Sequence, residues 1–154
     1  MNKKIRPMEI SDLPKVMEIE RQSFPSPWSE KTFRQELLRN RIALYLVVED
    51  GEDILGYLGL WMVRGEIHIT NLAIDPTCRR KGIASGLLTV VYKLARKNGI
   101  KIITLEVRAS NQQARELYRK EGFEEKGVRR GYYRDSNEDA IIMTRFLKGE
   151  DDDE

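Results

Sequence analysis

The apolar positions of this chain change their spacing several times, and each change marks an element. Lys4 to Arg6 reads as a short first strand, closed by Pro7. From Ser11 or Asp12, either able to cap a helix, Leu13, Val16, Met17 and Ile19 recur at helical spacing, with Glu20 among them and Phe24 beyond. Pro14 fits there because a first-turn N–H has no intrahelical acceptor to lose. Phe24-Pro25-Ser26-Pro27-Trp28 is a stiff connector, since each proline fixes its own φ and restricts the residue before it. Ser29 then caps a second helix whose apolar face holds Phe33, Leu37 and Leu38.

The period then shortens to two. Ala43 to Val48 is a strand bounded by Asp50-Gly51, a strong hairpin signal, and Ile54 to Val63 is its partner. Arg64-Gly65 turns the chain into a third strand, Glu66 to Ile74. Gly82 to Asn98 returns to helical spacing through Ile83, Leu87, Leu88, Val91, Leu94 and Ala95, and Gly99 stops it. Lys101 to Val107 is a strand, and Asn111 opens a helix with Ala114, Leu117 and Tyr118 on one side, ended by Gly122. Phe123 to Val128 and Ala140 to Phe146 are the last strands, joined by a polar loop carrying tyrosines. The order β-α-α-β-β-β-α-β-α-β-β predicts the α/β (α+β) class, a single mixed, mostly antiparallel sheet of about seven strands flanked by about four helices. Residues 1–148 form one domain, with 149–154 an acidic, disordered tail.

Composition narrows the function classes. A chain of 154 residues, 40% hydrophobic, suits one globular domain. The net charge of +2 argues against a nucleic-acid partner. A single cysteine, Cys78, rules out an intrachain disulfide and is compatible with the cytoplasm. No apolar run is long enough for a membrane span, and the N-terminus lacks the apolar core of a secretion signal, so neither membrane nor export is expected. One histidine leaves no metal cluster and no Ser-His-Asp pattern, so no metal is expected.

The first candidate chemistry lies in Asp75 to Leu88 (DPTCRRKGIASGLL). A strand ends, three cations follow, and a helix starts just after Gly82. A helix N-terminus carries unpaired N–H groups and about half a positive charge, and Gly82 and Ala84 leave room for a phosphate on those amides. The loop reads as a pyrophosphate cradle. It is neither G-x-x-x-x-G-K-S/T nor G-x-G-x-x-G, which excludes the two commonest phosphate loops. As Arg79-x-x-Gly82-x-Ala84 it resembles the Q/R-x-x-G-x-G/A acetyl-CoA signature of the GNAT N-acetyltransferases.

A longer match follows. Leu105 to Phe123 (LEVRASNQQARELYRKEGF) closely resembles the L-E-V-R-x-S-N-x-x-A-x-x-L-Y-x-x-x-G-F block of the ribosomal-protein alanine N-acetyltransferases, the RimI-type branch of that superfamily. Three further segments agree: Pro27 to Lys31, Asn71 to Pro76, and Arg130-x-Tyr132-Tyr133 followed by Glu138 to Met143. The resemblance covers nearly the whole chain. It implies the GNAT fold, acetyl-CoA as co-substrate, and transfer to the N-terminal α-amino group of a protein, with the alanine of ribosomal protein S18 as the family substrate. An α-amino group titrates near about 7.7–8.0, so at neutral pH it must lose a proton before it attacks a thioester. The resemblance gives Glu106 the role of general base and Tyr118 that of general acid toward the departing thiolate. It places the cofactor on Leu72, Ala73, Ile74, Arg79, Arg80, Lys81, Gly82, Ile83, Ala84, Ser85 and Asn111, with the oxyanion on a backbone N–H of the Asn71–Ile74 strand.

Tyr132 and Tyr133 match tyrosines of a hairpin loop that closes over the peptide, and Trp28 is expected as the opposite wall. Glu20 and Glu30 are weaker candidates for holding the substrate ammonium. Cys78 and His68 read as structural residues of their loop and strand. Two enzyme readings remain: a protein N-terminal acetyltransferase, or one acting on broader N-termini, lysines or small amines. A non-catalytic acyl-CoA-binding module is opposed by the presence of Glu106 and Tyr118. The oligomeric state is not readable from the sequence.

Overall fold

The computed structural model describes residues 3–148. The acidic segment 149–154, read above as a tail, lies outside the described residues. The elements are β1 (Lys3–Pro7), α1 (Leu13–Ser23), α2 (Glu30–Arg39), β2 (Ala43–Asp50), β3 (Asp53–Val63), β4 (Glu66–Ile74), α3 (Ile83–Lys97), β5 (Ile102–Arg108), α4 (Gln112–Lys120), β6 (Glu124–Tyr133) and β7 (Glu138–Phe146). Short 3-10 turns cover Ile10–Asp12 and Pro76–Cys78. The seven strands are ordered β1-β2-β3-β4-β5-β7-β6. The mixed character comes from β4 and β5, which pair in parallel (Ile67 with Ile103, His68 with Thr104), as a helical crossover such as α3 requires.

Two compact units divide the chain: Met1–Trp61 with Thr70–Val91, and Met62–Ile69 with Tyr92–Glu154. In the first, α1 and α2 bury Leu13, Val16, Ile19 and Phe33 completely. Phe33 stands edge-on to Tyr57 (6.0 Å) and Tyr45 (6.3 Å). Ser29 caps α2 as expected, accepting from the Thr32 N–H at 3.1 Å. Leu38 departs from expectation: it is 68% exposed, because the buried stripe of this ten-residue helix is centred on Phe33. Asp12 also differs. It precedes α1 without capping it, and its carboxylate instead takes both terminal nitrogens of Arg6 (2.8 Å each) and the Glu9 N–H (2.8 Å). Arg6, first among these, holds the Asp12 carboxyl below the usual range.

β3 carries two glycines where the next strand or a ring comes close. A Cβ on Gly59 would stand 2.1 Å from Tyr45 Cε1 and 2.9 Å from Thr70 Oγ1. Tyr45 is 3% exposed and its hydroxyl donates to Glu36 at 2.7 Å, so the ring has little freedom to yield. Gly59→Ala is expected to cost about 1–3 kcal/mol, the usual range for overpacking, and to lower Tm by several degrees. Thermal denaturation of the variant measures this, and an unchanged Tm would contradict the close packing.

In the second unit, strict alternation along β5 buries Ile103, Leu105 and Val107 and turns Thr104, Glu106 and Arg108 to the other face. The two helices on either side of β5 in the chain, α3 and α4, both end in glycine motifs. Gly99 (φ 69°) lets Ile100 N–H reach Ala95 C=O at 2.8 Å, and Gly122 (φ 91°) lets Phe123 N–H reach Tyr118 C=O at 2.9 Å. β6 runs to Tyr133, so Tyr132 and Tyr133 sit on its last residues and not in the loop where the sequence pattern put them. β6 is an edge strand with mostly exposed side chains, which leaves no apolar alternation to announce it.

Candidate functional site

The cradle loop belongs to the first unit. Asp75 anchors its start: Oδ1 accepts from Thr77 N–H (3.0 Å) and Thr77 Oγ1 (2.9 Å), while Oδ2 meets Lys15 Nζ at 2.9 Å. These contacts, the Thr77 N–H foremost, hold the Asp75 carboxyl below its ordinary value. The chain then passes through two left-handed residues, Arg80 (φ 66°) and Gly82 (φ 76°). The first bond of α3 at this end runs from Gly86 N–H to Gly82 C=O (3.0 Å), so Ile83 and Ala84 lie ahead of any intrahelical acceptor. Arg79, Arg80, Lys81 and Gly82 are all exposed, and a Cβ built on Gly82 meets nothing within 4 Å. Open space over the first turn of a helix, ringed by cations, fits a pyrophosphate. Arg79 Nε leans back on Ile74 C=O at 3.4 Å. Along β4, Leu72 and Ile74 are half-buried and Ala73 is buried; Ser85 is half-buried in the first turn of α3. Cys78 lies in the turn with Sγ 3.6 Å from Thr77 Oγ1.

The connector of the same unit is clasped from below. Glu20 is 2% exposed; its Oε2 accepts from Trp28 N–H (2.9 Å) and its Oε1 from the Tyr57 hydroxyl. Burial pushes the Glu20 carboxyl up, and the bonds from Trp28, Tyr57 and Asn71 pull it back. With its oxygens engaged in this way, Glu20 is a clasp rather than a holder of substrate ammonium. Glu30 is on the surface, 3.6 Å from Arg34. The Trp28 ring packs on Phe33 at 5.2 Å, which fixes the connector's stacking and leaves the indole partly exposed.

The second unit holds Glu106, Asn111, Tyr118, Tyr132 and Tyr133. Glu106 lies on the β5 face opposite the core, and both of its oxygens are engaged. His68 Nε2 donates to Oε1 at 3.0 Å, and Arg129 Nε donates to Oε2 at 3.1 Å. The His68 hydrogen bond first, and the charge of Arg129 after it, hold the carboxyl below its usual range against the opposing effect of burial. By sequence His68 reads as a structural strand residue. Its link to Glu106 depends on the parallel register of β4 and β5, for which no local motif exists.

Tyr118 is buried in α4, edge-on to Phe123 with centroids 5.6 Å apart. Burial, then the neighbouring Tyr92 and Tyr133, push its phenol well above the ordinary range, so it stays protonated at any pH of interest. Tyr132 and Tyr133 meet edge to face at 5.1 Å. Tyr133 is fixed from behind by Arg108, whose guanidinium lies 4.0 Å from the ring centroid. Arg108 also holds the hairpin that follows, donating to both oxygens of Asp135 (3.1 and 2.8 Å). Asn111 caps α4: its Oδ1 accepts from Ala114 N–H at 3.1 Å. Among the described residues no group of three or more His, Cys, Asp or Glu side chains could hold a metal, and no helix is long and apolar enough to cross a membrane.

Residues 13–123 match the sequence model of the acetyltransferase (GNAT) family. The chain is 41% identical over 139 residues to a Bacillus subtilis (strain 168) protein named "Putative ribosomal protein bS18-alanine N-acetyltransferase", covering 90% of this chain and 92% of that one. It is 37% identical over 141 residues to the ribosomal protein bS18-alanine N-acetyltransferase of Escherichia coli (strain K12), covering 90% and 94%. The crystal structure of the Escherichia coli ribosomal-protein-S18-alanine N-acetyltransferase superposes with a TM-score of 0.84 at 35% identity over 97% of each chain. The fold is also that of a PaiA N-acetyltransferase from Thermoplasma acidophilum crystallised with coenzyme A (TM-score 0.83, 22% identity, 96% of this chain and 100% of that one).

Proposed function

Because this chain belongs to the GNAT family of acetyltransferases and so draws acetyl from acetyl-CoA, we propose that its acceptor is a protein N-terminus, the N-terminal alanine of ribosomal protein S18. The observation that carries this reading is identity of 37% or more, across nine-tenths of the chain, to relatives named for that reaction. In this reading acetyl-CoA supplies the thioester. Residues Arg79 to Ser85, with Asn111, bind its phosphates and arm. Leu72, Ala73 and Ile74 offer backbone groups to the acetyl oxygen. Glu106 takes the proton of the attacking amine, and its low proton affinity keeps it in the acceptor form throughout the neutral range. Tyr118, protonated at neutral pH, donates to the leaving sulfur. Trp28, Tyr132 and Tyr133 bind the peptide, and a cytoplasmic location goes with a ribosomal substrate.

Acetyl transfer from labelled acetyl-CoA to peptides differing only at residue one, with an N-terminally blocked lysine peptide as control, tests the acceptor. Alanine-first peptides should be acetylated best; equal labelling of the lysine control would overturn the N-terminal reading. Tyr118→Phe isolates the acid. The ring and its edge contact with Phe123 survive, so stability should barely change. We expect kcat to fall roughly ten- to a thousandfold with acetyl-CoA affinity nearly constant, because the lost hydrogen bond matters chiefly in the transition state. Equal kcat in variant and wild type would return Tyr118 to a packing role.

A further inference from the structure

His68 is the chain's single histidine, and a mechanism with Glu106 alone gives it no part. Its position argues otherwise. His68 pairs with Thr104 in the β4–β5 register, and residues paired across neighbouring strands point to one side, so His68 shares a face with Thr104 and Glu106. The imidazole reaches Glu106 Oε1 at 3.0 Å, while Arg129 occupies Oε2 at 3.1 Å. The imidazole side chain is 30% exposed and the carboxylate 12%, so the imidazole is the member more open to an incoming amine.

We propose that His68 is part of the general base: Glu106 and His68 form one proton-accepting dyad, in which the carboxylate fixes the imidazole tautomer and the imidazole carries the proton lost by the amine. This deepens the reading above and rests on it. The amine nitrogen bonds to the acetyl carbon, the carbon–sulfur bond breaks, and the amine proton passes to the imidazole. The thiolate takes its proton from Tyr118, and the proton given up by the imidazolium restores the Tyr118 phenol through solvent, so that amide and thiol leave with both groups back in their starting forms. A carboxylate with donors on both oxygens is a weak acceptor for a proton from an amine that titrates near about 7.7–8.0. An imidazole accepts protons nearer neutrality, where a general base works best, and a buried carboxylate behind it stabilises the imidazolium, the division of labour seen in serine hydrolases. Within this unit the charged and titratable groups around the pair are Arg129, Tyr132 and Tyr133 from β6, Arg108 from β5 and Glu66 on β4 itself, while β7 sets Ile142 opposite Glu106. Arg108 is already taken up by Asp135 and Glu138.

His68→Gln keeps an N–H donor near Oε1 but cannot accept a proton. In that variant kcat toward an alanine-first peptide should fall about ten- to a hundredfold, with KM for acetyl-CoA unchanged. The acid limb of the kcat profile should move to lower pH, since the limb of the pair gives way to that of Glu106 alone. Wild-type kcat and an unmoved limb in His68→Gln would reduce His68 to a hydrogen-bond donor and overturn the dyad. A second measurement needs no turnover. The imidazole nitrogens report the tautomer by NMR: the wild type should show the single Nε2–H form that the Glu106 carboxylate fixes, and Glu106→Ala should let the other form appear. The same tautomer population in both proteins would also overturn the dyad. If the wild type acetylates no peptide amine, the acceptor reading fails by itself, and the NMR comparison still decides whether the two groups are coupled.

Discussion

Replacing Glu106 by glutamine is expected to lower kcat at pH 7 by about 10²–10⁴-fold while leaving the fold and acetyl-CoA binding in place. Glutamine matches glutamate in shape, so one oxygen can still accept from Arg129 or from His68. What is lost is the negative charge, and with it the capacity of the Glu106–His68 pair to take up the amine proton. Raising the pH should restore part of the rate, because the free-amine fraction grows as pH passes about 7.7–8.0. Steady-state rates from pH 6 to 9 measure both effects, and wild-type activity across that range would place the base elsewhere. Stability gives an independent check with a definite sign. The folded-state affinity of Glu106 for protons is depressed, so its pairing contributes stability above the ordinary carboxylate value near 4.3 and loses it as pH falls through the lower folded value. Glu106→Gln should therefore flatten the acid side of the stability curve.

The second large effect is expected at Gly82. With φ at 76° and open space beyond, the position asks for a residue without a Cβ for two separate reasons. A β-branched side chain disfavours the left-handed backbone. Its methyl groups would also fill the volume over the first turn of α3, where the phosphates are expected. A Cβ there touches no protein atom within 4 Å, so the unliganded Gly82→Val protein should lose little Tm beyond the local backbone strain. The ligand response is what should go. Acetyl-CoA at a hundred times its Kd stabilises the native state by about 2.7 kcal/mol, several degrees for a chain of this size. That shift should nearly vanish in Gly82→Val and be only partly reduced in Gly82→Ala. An undiminished shift in the valine variant would remove the loop from the cofactor site.

These two positions also separate what neighbouring residues encode from what they do not. Gly82, the Ser29 and Asn111 caps, the Gly99 and Gly122 stops and the Arg64-Gly65 turn were all legible, because each acts on backbone groups within a few residues of itself. The alternation of β5 was legible too, since a strand buried on one face must write that face into every second residue. The chain's membership of its family rested on ordered motifs of the same kind. Where burial did not impose a period, reading faltered. Edge strand β6 has no buried face, so the sequence pattern puts its last residues Tyr132 and Tyr133 in a loop, and helical spacing puts Leu38 on an apolar face that the helix does not bury.

Pairings between distant residues were decided only by the tertiary structure. Asp12 stands where a helix cap is expected, yet Arg6 on β1 claims its carboxylate. Glu20 is by sequence a weaker candidate for holding the substrate ammonium, yet Tyr57 on β3 and the Trp28 backbone hold it in the core. Glu106 was identified from its motif, but not its partners, for His68 is 38 residues earlier and Arg129 is 23 later. The sequence by itself determined where elements begin, turn and stop, and which motifs they carry, because those depend on a few consecutive dihedrals and one buried face. Which charges meet was settled by strand register and helix docking, because these set distances between residues that the chain keeps far apart.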